Sequence, residues 1–510
     1  MAQAHGDRLT ALDASFLAQE GANSHMHVGA VMLFEGPVPA YRDLVNHIRS
    51  RLHLVPRYRQ KLAVPPVESG RPLWVDDPSF NLEFHVRHTA LPKPGSEEQL
   101  RALAARIHSQ QLDRSKPLWE LWLVQGLEDN RFALINKTHH ALVDGIAGVD
   151  LATVLFDPSP VPQRVPHEGE PWAPQREPSA AQLVARGVSG LVRTPFELAA
   201  GAVAAARRPQ TSLEVAREAF EGIAEMAWAL LNPAPPTPLN VPIGPHRRLA
   251  FSRAQLEELK LIKNSFGGTV NDVVLTLVAG ALRSWLRSRG VRVEGLELRA
   301  LVPVSIRTEN HRGSLGNQLA AMRGPLPVYV EDPIARLQVV KRAMDGLKDS
   351  KQAVGAEVLA SLEAFAPPTI LAQASRLNFS TRLFNLLVTN VPGPQVPLYV
   401  LGRELQDFFP VAFLPEDHAL AVAIMSYNGN IDFGLLADYD AMPDLDDLAA
   451  HLDAAREELV AAAKRKQRGS ATSAKRTRED PKPAPVNGHG DEDSPARRNG
   501  SGATAGSPGA

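Results

Sequence analysis

The chain has 510 residues, a formal net charge of -1 and no cysteine. That length allows two or three domains around a large core, and the near-neutral balance argues against a broad basic surface for nucleic acid. Without cysteine there is no disulfide, no thiolate–zinc site and no thiol nucleophile, so acyl transfer through an enzyme thioester is excluded. The Gly-x-Ser-x-Gly elbow, the P-loop, the dinucleotide-binding glycine turn and the His-Glu-x-x-His zinc helix are all missing.

In chain order, residues 1–8 lack the basic start and apolar core of a secretory leader, and no apolar run reaches the ~18 residues of a membrane-spanning helix. Any membrane contact is therefore expected to be peripheral. Residues 26–34 read as a strand, with His25 and His27 on one face; two histidines without a third ligand do not make a metal site. Residues 41–54 have helical spacing, and the basic loop 56–62 follows, its charges facing phosphate or solvent. Residues 80–88 alternate as a strand, which puts His85 and His88 on opposite faces. Residues 96–111 form an amphipathic helix with Glu97 and Glu98 in its first turn. A strand begins at Pro117-Leu118-Trp119, turns at 128–130 and pairs with a returning strand over 131–137.

That hairpin delivers Lys137-Thr138-His139-His140-Ala141-Leu142-Val143-Asp144-Gly145, followed by helical spacing over 146–155. Successive side chains on a strand point to opposite faces, so His139 and His140 cannot share one cavity. One is expected to be chemical and the other supporting. A neutral imidazole is suited to taking a proton from a hydroxyl near neutral pH, provided a partner fixes its tautomer. Asp144 reads as a helix N-cap, and Gly145 supplies backbone freedom at the turn.

Residues 158–178 are proline-rich and read as a linker. Residues 180–231 are alanine-rich with helical spacing, either a hairpin packed on the body or an amphipathic surface for anionic lipid. A basic loop at 239–248 opens the second half, with helix over 253–265. Thr269 then caps a long apolar helix whose first turn holds Asn271 and Asp272. A buried strand over 298–304 ends near Arg307, which reads as a surface charge or as the partner of a buried carboxylate. Strands near 317–326, 382–389, 404–413, 419–426 and 430–436 complete an antiparallel or mixed sheet, covered by helices over 333–351, 354–377 and 444–463. The Asn390-Val391-Pro392-Gly393-Pro394 stretch reads as a tight turn between strands. Beyond Lys464 the composition is that of a disordered tail.

Several of these stretches occur in a recognisable order. Asp13-Ala14-Ser15-Phe16-Leu17, Met26-His27-Val28-Gly29, Pro117-Leu118-Trp119, His139 to Gly145, Asn271-Asp272, Val302-Pro303-Val304-Ser305 with Arg307, and Asn390 to Pro394 together resemble the bacterial wax ester synthase/acyl-CoA:diacylglycerol acyltransferase family, within the CoA-dependent acyltransferase superfamily. The resemblance implies an α/β (α+β) fold of two chloramphenicol-acetyltransferase-like halves with a tunnel between them. The expected boundaries are 1–157 for the first half, 158–245 for the linker and helical segment, 246–464 for the second half, and 465–510 for the tail.

It also implies transfer from acyl-CoA, as substrate and without a cofactor or metal, to diacylglycerol or a long-chain alcohol. The enzyme is expected to be cytoplasmic, at the inner face of the plasma membrane or on lipid inclusions, with no nucleic-acid partner. By the family pattern His140 is the base, and His139, Asp144 and Gly145 complete its motif. Arg307 is the candidate partner of Asp144, while Asn271 and Asp272 lie near the tunnel. Trp119 and Trp122 read as core residues or as an aromatic wall of that tunnel. Wax ester synthesis and a non-catalytic lipid-binding role are the competing readings.

Overall fold

The computed structural model describes residues 7–65, 71–142, 154–162, 172–179, 182, 232–305, 319–349 and 380–479. Residues 1–464 form one compact unit and 465–510 a second. Asp144, Gly145 and Arg307 lie outside the described residues, as do the linker's core, the 180–231 segment except Gln182, and the helix expected over 354–377.

Two six-stranded sheets dominate the first unit. One has the order β12-β13-β2-β7-β6-β5, where β2 is His27–Phe34, β5 Val86–Ala90, β6 Trp119–Gln125, β7 Phe132–His139, β12 Tyr399–Val400 and β13 Arg403–Val411. The other has the order β10-β9-β11-β14-β15-β8, with β8 Arg247–Gln255, β9 Leu298–Ser305, β10 Leu319–Leu326, β11 Leu386–Pro392, β14 Leu420–Tyr427 and β15 Asn430–Asp438. A small sheet joins β1 (Asp7–Arg8), β4 (Leu73–Asp76) and β3 (Gln60–Ala63). Both large sheets are mixed: β5 runs parallel to β6, and β11 runs parallel to β9 and β14.

The hairpin expected at 117–137 is present as β6 and β7, antiparallel from Trp119↔Thr138 to Val124↔Ala133. Asp129 and Asn130 take positive φ in its connecting turn, a conformation these two residue types tolerate well. On its other side β7 pairs antiparallel with β2, and that register sets His27 opposite His139. Gly29 is obligatory in this pairing, because a Cβ there would lie 2.0 Å from the Asn136 carbonyl oxygen and 2.8 Å from the His108 ring.

The strands β12 and β13 come from far along the chain, yet they extend the first sheet through β13–β2 pairing. A cut near residue 246 therefore does not separate the sheets. They pack on each other through Ile135, Phe251, Leu301, Phe409, Ala421 and Leu436. At their closest approach Phe251 stacks on Phe409 at 4.0 Å, and Gly434 faces the Pro410 carbonyl so closely that a Cβ would sit 1.9 Å from its oxygen.

Four sequence expectations need correction. The stretch 80–88 is not one strand: Asn81 accepts from the Glu83 N–H and starts a single helical turn, α3 (Leu82–His85), before β5. Asn390 to Pro392 continue β11 and do not form a turn, because they pair in register with Ile424, Met425 and Ser426. Residues 247–255 are strand β8, and the helix begins only at Leu256; nine backbone pairs to β15 override the helical spacing. The C-terminal helix, Leu445–Glu479, also runs past Lys464, where disorder was expected to begin. Its lysine, arginine, alanine and glutamate residues favour helix even without an apolar face.

Candidate active site

Helix α1 (Ala11–Gln19), β2 and β7 converge on the histidine pair. Thr10 caps α1, its Oγ1 accepting from the Asp13 N–H at 3.1 Å, and Glu20 closes it by donating its N–H to the Phe16 carbonyl at 3.2 Å. The end of β7 is held by two backbone bonds: the His139 N–H donates to the Leu118 carbonyl at 3.0 Å, and the His140 N–H to the Met26 carbonyl at 2.8 Å. The Leu142 N–H then returns to the His139 carbonyl at 2.9 Å and turns the chain.

Strand alternation separates the two rings as expected. His139 is fully buried and His140 half-buried. His139 Nδ1 accepts the Ala141 N–H at 3.0 Å, so its proton sits on Nε2, which lies 3.5 Å from Glu20 Oε2. Burial by itself would raise the Glu20 carboxyl. The hydrogen bond and charge of His139, with the Arg114 guanidinium, outweigh it and bring Glu20 down to about 2. Arg114 reaches that carboxylate through Nε at 2.8 Å and again through its terminal nitrogen.

His140 has no carboxylate partner among the described residues. Its ring lies on Phe16, with centroids 3.9 Å apart and planes at 25°, and meets the edge of Phe413 at 5.8 Å. Nδ1 is buried and finds no hydrogen bond to another residue. Burial first, and the His139 ring second, lower His140 from the ordinary imidazole value to about 4. At neutral pH it is an uncharged ring with a free lone pair, the form a general base requires.

A layer of buried polar groups supports the pair. His27 accepts from the Leu112 N–H at 3.4 Å, and burial holds it well below the ordinary value; its ring is 5.9 Å from His139 and 5.3 Å from His25. His108 is driven down to about 3 by burial, with Lys137 adding to the effect. Lys137 Nζ caps the end of α4 (Glu97–Ser109), donating to the Ile107 and Gln110 carbonyls at 3.0 Å each, and stands 3.5 Å from Glu120. His25 and His27 do come together, but among the described residues no group of three potential ligands is placed to hold a metal.

Asn271 and Asp272 stand apart from this cluster. Asp272 forms a capping box with Thr269 at the start of Val270–Ser288, accepting the Thr269 N–H at 2.7 Å and donating its own N–H to Thr269 Oγ1 at 3.2 Å. Asn271 accepts from the Asn390 amide at 3.2 Å. Neither hydrogen-bonds to the histidines. Trp119 is a core residue, its indole donating to the Tyr58 carbonyl at 2.8 Å beneath the His85 ring; Trp122 is half-buried beside Arg87. In the basic loop, Arg57 and Arg59 lie over Trp74 and Trp172, and Lys61 pairs with Glu177. Those charges are therefore engaged by rings and a carboxylate. Phe16 lay within a stretch the sequence singled out, but Glu20 and Arg114 did not, since their pairing joins positions 94 residues apart.

Comparison with known proteins gives the family. Residues 9–274 match the family model described as the wax ester synthase/diacylglycerol acyltransferase catalytic domain, and residues 315–460 match the WS/DGAT C-terminal domain. The chain belongs to the wax ester synthase/diacylglycerol acyltransferase family, and it is an O-acyltransferase of the diacylglycerol acyltransferase type. It is 34% identical over 465 residues to the probable diacylglycerol O-acyltransferase tgs1 of Mycobacterium tuberculosis H37Rv, covering 90% of this chain and 97% of the relative. With tgs2 of the same organism it shares 35% over 455 residues, covering 88% and 97%. Among solved structures, the wax ester synthase/diacylglycerol acyltransferase from Marinobacter aquaeolei VT8 superposes with a TM-score of 0.62 at 28% identity, over 90% of this chain and 100% of that one. The starter condensation domain of rhizomide synthetase shares the fold alone, with a TM-score of 0.54 at 14% identity over 90% and 94%.

Proposed function

We propose that the protein makes triacylglycerol by direct transfer of an acyl group from acyl-CoA to the hydroxyl of diacylglycerol, with His140 as general base. The observation that carries this reading is the half-buried, uncharged His140 ring at the end of β7, beside a fully buried His139 that a carboxylate holds in place. With Nδ1 buried, Nε2 is the nitrogen left for a substrate hydroxyl. It takes the proton as the oxygen attacks the thioester carbonyl, the new C–O bond forms, the C–S bond breaks, and the proton passes to the departing thiolate. General-base help of this kind supplies ~10² to 10⁴ in rate, and orientation supplies much of the rest.

In this reading the reactants meet in a tunnel between two acetyltransferase-like halves, acyl-CoA entering from one side and the alcohol from the other. The halves span 1–157 and 246–464, joined by 158–245, with β12 and β13 of the second crossing over to extend the first sheet. Asp144 and Gly145 shape the turn after the histidines, and Arg307 holds Asp144. Substrates this apolar partition into lipid, so the enzyme works peripherally, at the cytoplasmic face of the membrane or on lipid inclusions. Among the described residues no single helix is long and apolar enough to cross a membrane. One bent pair, Leu256–Phe266 with Val270–Ser288, passes on length and composition, but the second of these is largely core.

Transfer to a long-chain alcohol is the second reading, favoured by the similarity to the Marinobacter protein. The test is an assay of the purified protein and His140→Ala with labelled palmitoyl-CoA, offering diacylglycerol and hexadecanol in parallel. Triacylglycerol from the wild type alone establishes reaction and base; wax ester in excess selects the second reading. A His140→Ala variant with most of its activity removes the base assignment.

A further inference from the structure

The two adjacent histidines receive different treatment from one short helix. Phe16 and Glu20 are four residues apart at the end of α1 and project from one side of it. Phe16 lies on the His140 ring at 3.9 Å, while Glu20 Oε2 lies 3.5 Å from His139 Nε2. We propose that α1 is a positioning element for the histidine pair, in which Phe16 fixes the ring plane of His140 and Glu20 fixes the proton of His139, so that only His140 is free to exchange one. The inference rests on the base role proposed above for His140.

The geometry supports each part. A ring stacked at 25° blocks one face of the imidazole and limits rotation about its χ2, and the Phe413 edge restricts it further. Those contacts hold the ring without adding a charge that would keep a proton on it. For His139 the Ala141 N–H occupies Nδ1, and Glu20 faces the opposite nitrogen. The imidazole is thereby hydrogen-bonded at Nδ1 and faces a carboxylate at Nε2, which fixes the β7 end from which His140 projects.

Arg114 completes the device by gripping both Glu20 and the Leu17 carbonyl, the latter at 3.0 Å, which ties the carboxylate to the last turn of α1. Among the described residues, the titratable and charged groups around the pair are Glu20 at the C-cap of α1, His25 just before β2, His27 at its start, His108 from α4, Arg114 from the loop after it, and Lys137 from β7. Of these and His139, only the His139 ring acts on His140 directly.

The test compares Phe16→Leu, Glu20→Gln and Glu20→Asp with the wild type and with His140→Ala, measuring kcat, KM for palmitoyl-CoA and the pH profile. Glu20→Gln is expected to lower kcat by up to ~10²-fold, the cost of a misplaced reacting group, with KM for palmitoyl-CoA within about twofold and partial rescue in Glu20→Asp. Phe16→Leu is expected to lower kcat about tenfold, by the same loss of orientation, and to move the acid limb of the profile upward as the ring becomes better hydrated.

Folded Phe16→Leu and Glu20→Gln proteins with wild-type kcat and an unchanged profile overturn the inference, even when His140→Ala is inactive. Full activity in His140→Ala instead removes the base reading. Should the variants fail to fold, nitrogen-15 spectra of the histidine-labelled wild type decide: a His139 proton on Nε2 and a ring-current-shifted His140 are expected, and a His139 proton on Nδ1 refutes the role given to Glu20.

Discussion

The sheet ordered β10-β9-β11-β14-β15-β8 is covered by Leu256–Phe266, Val270–Ser288, Pro333–Asp349 and the C-terminal helix, and that interior is leucine, valine and alanine around Trp285. The β2–β7 end of the other sheet buries Glu20, His25, His27, His108, Lys137 and His139 within a few residues of one another. The central strands of both sheets are buried along most of their length. Burying ionisable groups costs several kcal/mol each unless they are paired or uncharged, so a cluster of them marks the place where the fold gives up stability for chemistry.

The strongest way to break that contrast is His140→Ala. Transfer is expected to fall by at least ~10²-fold, with circular dichroism and thermal midpoint nearly unchanged, because a half-buried ring is removed from one side of a turn. Loss of fold instead of rate would make the cluster merely structural.

Lys137→Ala is next. It deletes the cation that holds the Ile107 and Gln110 carbonyls and leaves Glu120 without one of its partners. A destabilisation of about 3 kcal/mol, read by urea unfolding, is expected for breaking such a buried arrangement.

The pH dependence of stability sharpens the same comparison. His27, His108 and His140 titrate lower in the folded protein than in the unfolded chain, so the unfolded state binds more protons below pH ~6.5. Stability is expected to fall as the solution is acidified from that point, and to go on falling through pH ~4, where Glu20 with its value near 2 adds to the loss. A flat profile between pH 4 and 6.5 would mean that these histidines are not buried.

The second sheet buries ionisable groups as well, among them the Arg247–Asp438 pair at 3.7 Å and Asp432. Asp432 on β15 is fully buried, accepts the Phe408 N–H at 2.8 Å through one oxygen, and is raised to about 7 by burial, with Asp407 contributing. The folded state here binds the extra proton, so its cost appears as pH rises from ~4 to 7 and is complete above. Asp432→Asn is therefore expected to gain ~2 kcal/mol relative to wild type at pH 8 compared with pH 5, measured as the difference in thermal midpoint shifts.

Asp272→Ala should have the smallest effect. Loss of the capping box costs about 1 kcal/mol of stability.

The histidine pair, the hairpin that delivers it and the opposite orientation of its two rings were legible in the chain, because strand alternation and turn residues are local properties. So was the family, through short motifs in a fixed order. The sheet membership of β13 was not, since antiparallel pairing with β2 joins residues nearly four hundred positions apart. Nor was the identity of the carboxylate. The structure brings Glu20 against His139, a pairing nothing near either residue announces, while Asp144 lies outside the described residues.

The same limit explains the misread segments. Helical spacing holds over Leu256–Phe266 but yielded at 253–255 to a strand that the distant β15 supports, and the Asn390 stretch kept its strand because β14 lies beside it. Local chemistry determined which residues could react and which backbone would present them. Tertiary structure decided which of two identical side chains is left half-buried against an aromatic ring and which is enclosed beside a carboxylate, since burial, ring stacking and a carboxylate ninety-four residues from its arginine are properties of packing and have no counterpart in local sequence.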